Sequence, residues 1–382
     1  MLGTDASDFE YSNRCWIKLA QYFEEAQLQL QQLEQVLRKQ WRLGENMVLC
    51  WAPDPKGLLT LVVPHYFLGN FTTLDATSGG EGDNEQFIRE VIGGSPLKTH
   101  DQMFAIAKRL GVSTSFIKLD EPLGSDKSLL KAADEIISRY GISYVESRAV
   151  LLFDIAEFSL YAPFEQASQL NSLSYSMNSA YNKLHREGVE INFARTTTGD
   201  GYYVWNRDVG PFPDLDLLSF LLLVLIDNAV ARREASGHTV PVIRSAYHIG
   251  SHYELFQAEG VNPTLFSYIV GDVTIKLARM LADAAAGQVL LGDFEACLPD
   301  VADKHDANAF IRTAIKELEE LDNLRIVGQR LSQFTLQPGS CGTANPRPQR
   351  IIDKHGLEQM ATNLTFSIAL GDTFMDLGVP TP

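Results

Sequence analysis

The sequence contains few cysteines, and none of them is paired at metal-binding spacing. The four cysteines among the 382 residues are Cys15, Cys50, Cys297 and Cys341. A zinc cage needs closely spaced ligand pairs such as CxxC, and four scattered cysteines do not build a disulfide framework. We therefore expect reduced thiols, which are typical of a cytoplasmic protein.

Long apolar runs are also absent. The longest run, residues 217–226, lies between Asp216 and Asp227 and is too short to cross a bilayer, which takes about 20 residues. The first residues, MLGTDASDFEYSNR, have neither the basic nor the apolar region of a signal peptide. The sequence therefore predicts a buried core helix at 217–226, a cytoplasmic location and no membrane partner.

Positive charge is scarce as well. The chain has 48 acidic and 32 basic residues and a net charge of -16. Such a surface repels the phosphate backbone of nucleic acids at long range, so we expect no nucleic-acid partner. The glycine-rich fingerprints of Rossmann and P-loop sites are missing too. A nucleoside triphosphate remains a candidate substrate if divalent cations and local basic groups neutralise it.

A heptad pattern marks the beginning of the chain. Residues 16–41 contain no Gly or Pro, and apolar residues recur there at alternating gaps of three and four, at Trp16, Leu19, Phe23, Ala26, Leu30, Leu33 and Leu37. Two interpretations stay open. The segment is either an amphipathic helix that packs on its own domain or a coiled-coil helix that favours a dimer.

The rest of the first 145 residues alternates between strand and helix patterns. Two apolar strands flank the turn sequence DPKG, and helical segments and a further strand follow up to about residue 141. This mixture resembles a small α/β sensor module of the GAF or PAS kind. We therefore expect residues 1–145 to form a regulatory region.

Residues 146–337 follow a different order. An apolar strand at 149–155 precedes a long helix, a hairpin, the apolar helix around 217–226 and a strand at 242–249. This order predicts a ferredoxin-like α+β core of the βαββαβ type. Residues 338–382 contain Gly and Pro, so we expect a carboxyl-terminal tail that is loosely ordered at first and then forms a short terminal helix or strand.

Two aspartates in this core stand where chemistry can occur. Asp154 ends the apolar strand, and Asp200 lies in the hairpin turn within TTTGDG. Taken alone, each also fits a structural role, since Asp and Gly are common in turns. On neighbouring strands, however, the two carboxylates would form a pair of hard oxygen ligands that suits Mg²⁺ or Mn²⁺.

Four segments in order resemble the class III adenylate and guanylate cyclases. VLLFDIAEF, beginning at Val150, and TTGDGYYVW resemble the two metal motifs of that family, whereas YHIGSHYE and YIVGDVTIKLARM resemble two later motifs. The resemblance covers about half of the chain. It implies a homodimeric enzyme that converts a nucleoside triphosphate to a 3′,5′-cyclic nucleotide and pyrophosphate with two Mg²⁺ or Mn²⁺ ions.

The resemblance also implies roles for individual residues. Asp154, Asp200 and the backbone carbonyl of Ile155 match the metal ligands of the family. Arg279 matches the arginine that the partner subunit supplies to stabilise charge in the transition state. The alternative for Arg279 is a solvated position on a helix face.

Other positions are implied to contact the substrate. Arg330 lies where the family has a triphosphate-binding lysine, and Phe158 closes the first motif. Thr196 and Tyr268 occupy the two base-selecting positions but match neither purine pair of the family, so the base stays open, with ATP as the default. Ile275 replaces the family's ribose-orienting asparagine. A cyclase-homology domain that binds nucleotide without catalysis is therefore the alternative.

Two histidines have a spacing that binds zinc when it occurs on a helix. His248 and His252 are four residues apart, but His248 falls in a predicted strand that Gly250 is expected to interrupt. We therefore expect both histidines to be structural.

Overall fold

The computed structural model describes most of the chain, namely residues 26–71, 81–120, 123, 126–258, 265–282, 284–298, 303–321, 323–353 and 356–380. The chain divides into two compact units. Unit 1 contains Met1–Val145 and Tyr253–Tyr268, and unit 2 contains Glu146–His252 and Ile269–Pro382. Among the helices of the described ranges, none has the length and apolar character needed to span a bilayer.

Unit 1 is a small α/β structure. Its elements are helix α1 (residues 26–41), strands β1 (Asn46–Asp54) and β2 (Gly57–Pro64), helices α2 (Glu81–Ile92) and α3 (His100–Leu110), strand β3 (Ser115–Lys118) and helix α4 (Lys127–Ser138). The three strands form an antiparallel sheet in the order β1-β2-β3. The mixed α/β character expected from the sequence is present, and the likeness to a GAF or PAS module stays a prediction.

Helix α1 packs on the core of its own unit. Leu33 and Leu37 are completely buried there, and Leu30 packs against the same cluster. The described part of the heptad segment is therefore an amphipathic helix that packs on its own domain, the first of the two interpretations. The earlier heptad positions Trp16, Leu19 and Phe23 lie outside the described residues.

Unit 2 holds most of the remaining elements. They are, in order, β4 (Ile142–Ile155, which begins in unit 1), α5 (Pro163–Arg186), β5 (Phe193–Thr197), β6 (Gly201–Asn206), α6 (Pro213–Glu234), β7 (Ile243–Ala258, which ends in unit 1), β8 (Leu265–Val270, which begins in unit 1), α7 (Asp272–Ala282), β9 (Val289–Gly292), β10 (Glu295–Cys297), β11 (Lys304–Asp306), α8 (Ala307–Glu320), β12 (Arg325–Ile326), β13 (Gln329–Leu336), β14 (Pro348–Ile352), β15 (Glu358–Asn363), β16 (Phe366–Leu370) and β17 (Thr373–Leu377).

The main sheet has the strand order β14-β15-β9-β7-β4-β6-β5, with β8 paired to β7. Strand β6 is antiparallel to both β4 and β5, whereas β9 is parallel to β7. The chain order β4, α5, β5, β6, α6, β7 follows the βαββαβ order expected from the sequence. A second sheet has the order β12-β13-β16-β17.

Alternating residues of β4 point to opposite faces of the sheet. Leu151 and Phe153 join the core formed with α5, α6 and α8, whereas Val150 and Leu152 pack in a second cluster with α7. The longest apolar run lies in the middle of helix α6 and is buried on all sides in the first of these cores, as expected for a segment without a polar face. The core helix expected at 217–226 is confirmed.

The strand break expected at Gly250 is wrong, and the carboxyl-terminal residues contain more strands than expected. Strand β7 continues through Gly250 to Ala258, so that His248 and His252 lie in one strand; both are buried. Residues 338–347 contain no helix or strand, and the residues after them form more strands than the one short terminal element expected. These later residues supply β14 to β17, because short apolar segments that are unremarkable in isolation gain backbone partners from β9 and β13.

The cysteines within the described residues, Cys50, Cys297 and Cys341, are free thiols. This agrees with the expectation of unpaired cysteines. Burial raises the pKa of Cys50 to about 11 and that of Cys341 to about 12, so both thiols stay protonated and unreactive at neutral pH.

Candidate active site

The fold brings Asp154 and Asp200 together. Asp154 is paired in register with Gly201, the first residue of β6, and Asp200 immediately precedes it. The backbone N–H of Ile155 donates to the carbonyl oxygen of Asp200 at 3.0 Å, which fixes the end of β4 against the turn. The juxtaposition expected from the sequence is therefore present in the structure.

The turn between β5 and β6 is held by its own threonines. The N–H of Thr198 donates to the carbonyl of Gly201 at 3.0 Å, and the N–H of Gly199 donates to Oγ1 of Thr197 at 3.1 Å. Gly199 has a φ of 104°, a conformation that glycine adopts without the strain of a side chain. The turn sequence TTGDG therefore places Asp200 in a defined position.

The side chain of Asp154 points toward the face covered by α7, because Val150 and Leu152 have the same parity along β4. It is 15% exposed. Burial raises the pKa of Asp154, and the nearby carboxylate of Asp200 raises it further, whereas hydrogen bonding to Arg244 lowers it. The carboxylate of Asp154 thus has one opposite charge, Arg244, and one like charge, Asp200, in its surroundings.

Arg244 on β7 is the cation next to this pair. Its Nε donates to Oδ2 of Asp154 at 2.5 Å, and one terminal nitrogen donates to the carbonyl of Ala284 at 3.1 Å. The guanidinium is thus anchored from two sides, with 27% of the side chain exposed. The site therefore contains a fixed positive charge beside a proposed metal ligand.

Arg279 lies on α7 and forms an ion pair with Asp353, which follows β14. The closest atoms, Nε and Oδ2, are 2.7 Å apart, and the two side chains are 27% and 10% exposed. Gln359 on β15 also donates to the carbonyl of Lys276 at 2.9 Å. The carboxyl-terminal hairpin therefore holds α7 at two points. Ile275, at the position where the family has an asparagine, is 48% exposed.

The other residues named from the sequence are more dispersed. Phe158 packs against the core in a short 3₁₀ segment after Asp154, and Thr196 is paired with Tyr203 in the hairpin. Arg330 lies on β13, in the second sheet, and Tyr268 is the last residue of the unit 1 segments. The structure thus brings Asp154, Ile155 and Asp200 together and leaves Arg330 on a different sheet.

Within the described residues, no group of three or more His, Cys, Asp or Glu side chains converges to hold a metal ion. The donor set at this point is smaller and consists of two carboxylates and main-chain carbonyls. Mg²⁺ is commonly held by one or two carboxylates, with substrate phosphates and water completing its shell. The Asp154–Asp200 pair, with its surplus negative charge, fits such an ion.

Sequence reasoning missed Arg244 and Asp353. Arg244 carried a usable signal, because it is a lone charge at the start of the strand RSAYHI, on the same side as Ala246 and therefore on the α7 face. Asp353 carried none, since its contact with Arg279 joins positions far apart in the chain and depends on the hairpin of β14 and β15.

No protein-family model matches the sequence, and no curated protein matches it. Solved structures do match. The catalytic core of a rhodopsin-guanylyl cyclase with converted specificity, in complex with ATPαS, is 14% identical and covers 58% of this chain and 97% of its own, with a TM-score of 0.36.

Two further matches come from different organisms. The guanylate cyclase domain of RhGC from Catenaria anguillulae, in complex with GTP, is 15% identical over 60% of this chain and 98% of its own, with a TM-score of 0.36. The adenylyl cyclase CyaB from P. aeruginosa is 13% identical over 58% and 95%, again with a TM-score of 0.36. All three are described as nucleotide cyclases, the family that the sequence motifs resemble.

Proposed function

We propose that this chain is a nucleotidyl cyclase that converts a nucleoside triphosphate to a 3′,5′-cyclic nucleotide and pyrophosphate. The observation that carries the proposal is the pairing of Asp154 with Asp200 across β4 and β6, on the sheet face that also carries α7. Arg244 pairs with Asp154 and compensates one of the two charges, so the pair keeps a surplus negative charge that a divalent cation would neutralise.

Asp154, Asp200 and the carbonyl of Ile155 would hold two Mg²⁺ or Mn²⁺ ions together with the substrate phosphates. When bound, such ions lower the pKa of an attacking hydroxyl and neutralise a leaving pyrophosphate. The protein contributes the fixed ends of β4 and β6, which keep the two carboxylates in place without further movement.

The reaction is an in-line displacement at the α-phosphorus. The 3′-oxygen of the ribose forms the new bond and loses its proton to solvent water, and the bond from the α-phosphorus to the bridging oxygen of the β-phosphate breaks, with its electron pair leaving on pyrophosphate. Arg244, anchored on Asp154 and Ala284, is proposed to attract the phosphates and to hold the Asp154 carboxylate in one orientation.

Arg279 is proposed to meet the charge that develops on the transferred phosphoryl group, across the interface of a homodimer. Its ion pair with Asp353 through Nε keeps the guanidinium in a defined orientation. The proposed substrate contacts are Thr196, Tyr268, Phe158 and Arg330. The base that they select is identified by comparing the four triphosphates as substrates.

Unit 1 is proposed to be the regulatory part of the protein. It has a hydrophobic core of its own, built from α1 to α4 and the three-stranded sheet. The proposed catalytic pair lies entirely in unit 2.

A second candidate function is a nucleotide sensor without catalysis. Ile275 lacks the amide that orients the ribose in the family, and both proposed substrate-binding arginines, Arg244 and Arg279, are engaged by carboxylates of the same chain, Asp154 and Asp353. A binding module would tolerate these features, whereas a cyclase must use the arginines on its substrate.

Incubation of the purified chain with ATP, GTP, CTP and UTP in turn, with Mn²⁺, separates the two functions. Mass spectrometry of a cyclase reaction finds a cyclic nucleotide from at least one of them, and the preferred base identifies the substrate. Measurable nucleotide binding by calorimetry without any cyclic product would instead establish the sensor.

A further inference from the structure

A pocket in unit 2 lies away from the proposed catalytic carboxylates. It has a volume of about 580 Å³ and is bounded by the end of α5, the segment before β5, the start of α6 and the end of α8. Asp214 at the start of α6 accepts a hydrogen bond from the N–H of Ala149 at 2.7 Å. Ala149 precedes Asp154 by five residues of β4, so this contact at the start of α6 lies about 17 Å along the strand from the proposed catalytic carboxylate. We call the cavity between the start of α6 and the end of α8 the α6–α8 pocket.

The α6–α8 pocket contains surplus negative charge. Glu190, Asp216, Glu317 and Glu320 line it, and none of the lining residues is basic. Glu320 has Lys316 as a partner at 3.7 Å, but Asp216 and Glu317 have neither an ion pair nor a side-chain hydrogen bond within the described part of the chain. The charge of nearby Lys316 lowers the pKa of Glu317, but this lysine is exposed and does not line the pocket, so the two half-buried carboxylates keep a net negative charge inside it.

Asp216 and Glu317 both have raised pKa values, as expected of partly buried carboxylates. Burial raises the pKa of Asp216 to about 7, with a further contribution from the like charge of Glu317. Burial also raises the pKa of Glu317. A cation placed between the two side chains would remove the repulsion and restore the ordinary charged form of both.

A second polar group in the pocket lacks a partner. Ser219 follows Asp216 by three residues on α6, so that both lie on the same helix face. Ser219 is 4% exposed, and among the described residues its hydroxyl has no hydrogen-bond partner. A hydroxyl buried without a partner costs free energy, which a donor from a bound molecule would recover.

The backbone is shaped around Asp216. Gly210 has a φ of 88°, and a Cβ atom at this position would lie 2.5 Å from the carbonyl oxygen of Glu190 and 3.2 Å from Oδ2 of Asp216. Only glycine therefore permits this close approach of two chain segments beside the carboxylate. The remaining wall is apolar and includes Phe212 and Leu318.

We propose that the α6–α8 pocket binds a small organic cation, a protonated primary amine with an apolar body. The ammonium group lies between Asp216 and Glu317 and directs one of its three N–H donors to Oγ of Ser219. The apolar body packs against Phe212 and Leu318. A volume of about 580 Å³ lies within the range of small-molecule sites. An apolar wall of this kind does not suit a bare metal ion, which prefers oxygen ligands on all sides.

Titration calorimetry of the full chain with phenethylamine and with 2-phenylethanol tests the proposal. The two probes share the aromatic body and differ in the charge that the carboxylates recognise. We expect the amine to bind at least about tenfold more tightly than the alcohol.

The double variant Asp216→Asn with Glu317→Gln should weaken amine binding by at least about tenfold, because both counterions are lost. Its melting temperature should equal or exceed that of the wild type, since the variant removes a repulsion without removing volume. Glu295→Gln, which changes an exposed carboxylate outside the pocket, is the matched control and should bind the amine as the wild type does.

Equal affinity of the amine for the wild type and the folded double variant would overturn the proposal. So would equal affinity of the wild type for the amine and the alcohol, or no binding of the amine at concentrations of about 10 mM. The result does not depend on whether the chain forms a cyclic nucleotide.

Discussion

Gly201 lies directly opposite Asp154 in the pairing of β4 with β6, and a Cβ atom at this position would clash with the carbonyl oxygen of Phe153. The obstacle is main chain and therefore cannot rotate away. The second glycine of the GDG turn is thus required for the close approach of the strands that carry Asp154 and Asp200.

Gly201→Ala should therefore separate the ends of β4 and β6. We expect the free energy of unfolding to fall by about 3 kcal/mol, as for other overpacked sites, and activity to be lost with it. Urea denaturation and the cyclase assay measure the two effects. Gly250→Ala is the control, because a Cβ there would lie 3.4 Å from that of Val273 and should cost less than about 1 kcal/mol. Similar costs for both variants would contradict this role of Gly201.

Asp216 provides a pH-dependent prediction. Its pKa in the folded chain is about 7, well above the usual value of an aspartate, so that between about pH 4 and pH 7 the folded state binds more protons than the unfolded state. Asp216 therefore destabilises the fold increasingly as the pH rises through this range. Asp216→Asn should raise the free energy of unfolding near pH 8 by about 1 kcal/mol, after allowance for solvent screening, and have little effect near pH 4. Urea denaturation at both pH values measures this, and an equal effect at both would contradict it.

Some residues of the candidate site could be predicted from the sequence, and others could not. Asp154 and Asp200 were accessible because each stands next to a pattern, an apolar strand and a glycine-rich turn. The ion pairs of Asp154 with Arg244 and of Arg279 with Asp353 were not predicted, because each joins separate elements whose contact arises only in the folded chain. Hydrophobic periodicity identifies elements but does not identify their polar partners.

Among the helices and strands, those with strong apolar patterns were predicted well. The helix around residues 217–226 and the strand ending at Asp154 are both present. Strand β4 begins at Ile142, earlier than its apolar part, and Tyr144 there forms a bridge with Gly93 within unit 1. Where β14 to β17 lie, the sequence predicted only one short terminal helix or strand, because pairing with β9 and β13, rather than a pattern of their own, stabilises these strands.

Helix α1 had two interpretations, and the described residues distinguish them. Leu33 and Leu37 are completely buried in unit 1, whereas Leu28 on the opposite side of the helix is 65% exposed. The apolar stripe at these positions is therefore already covered by the chain's own core, and it is not available to a second copy.

Leu37→Ala should consequently lower the free energy of unfolding of unit 1 by about 2–5 kcal/mol, because it leaves a cavity in the core. The association state, measured by analytical ultracentrifugation at a temperature where the variant is folded, should not change. Leu28→Ala, the matched control on the exposed side, should have little effect on either measurement. A shift of the Leu37→Ala variant to a lower association state with unchanged stability would instead support a coiled-coil dimer.

At the scale of the whole molecule, the net charge of -16 is opposed to the binding of a triphosphate. Substrate binding must therefore come from the local charges of divalent ions and of arginines such as Arg244 and Arg279. Both arginines are fixed by ion pairs with buried or partly buried carboxylates, so that little conformational entropy remains to be lost on binding.

The proposed homodimer predicts complementation. Asp154→Asn and Arg279→Ala variants should each be inactive alone, since each damages every site of its dimer. A mixture in equal amounts should recover about a quarter of the wild-type activity, because about half of the dimers are mixed and each mixed dimer has one complete site. A mixture that stays inactive while subunits exchange would place Arg279 and Asp154 in the same subunit's site.

The most direct measurement is the rate of cyclic nucleotide formation in the presence of Mn²⁺, by the wild type and by Asp154→Asn and Asp200→Asn. Both substitutions keep the shape of the side chain and remove the charge that holds the metal ions. We predict product from the wild type and from the control Asp293→Asn, an exposed carboxylate after β9, and a loss of at least about a thousandfold in the other two variants. Wild-type rates in either folded variant, or no product from the wild type with any of the four triphosphates, would contradict the proposed role of the Asp154–Asp200 pair.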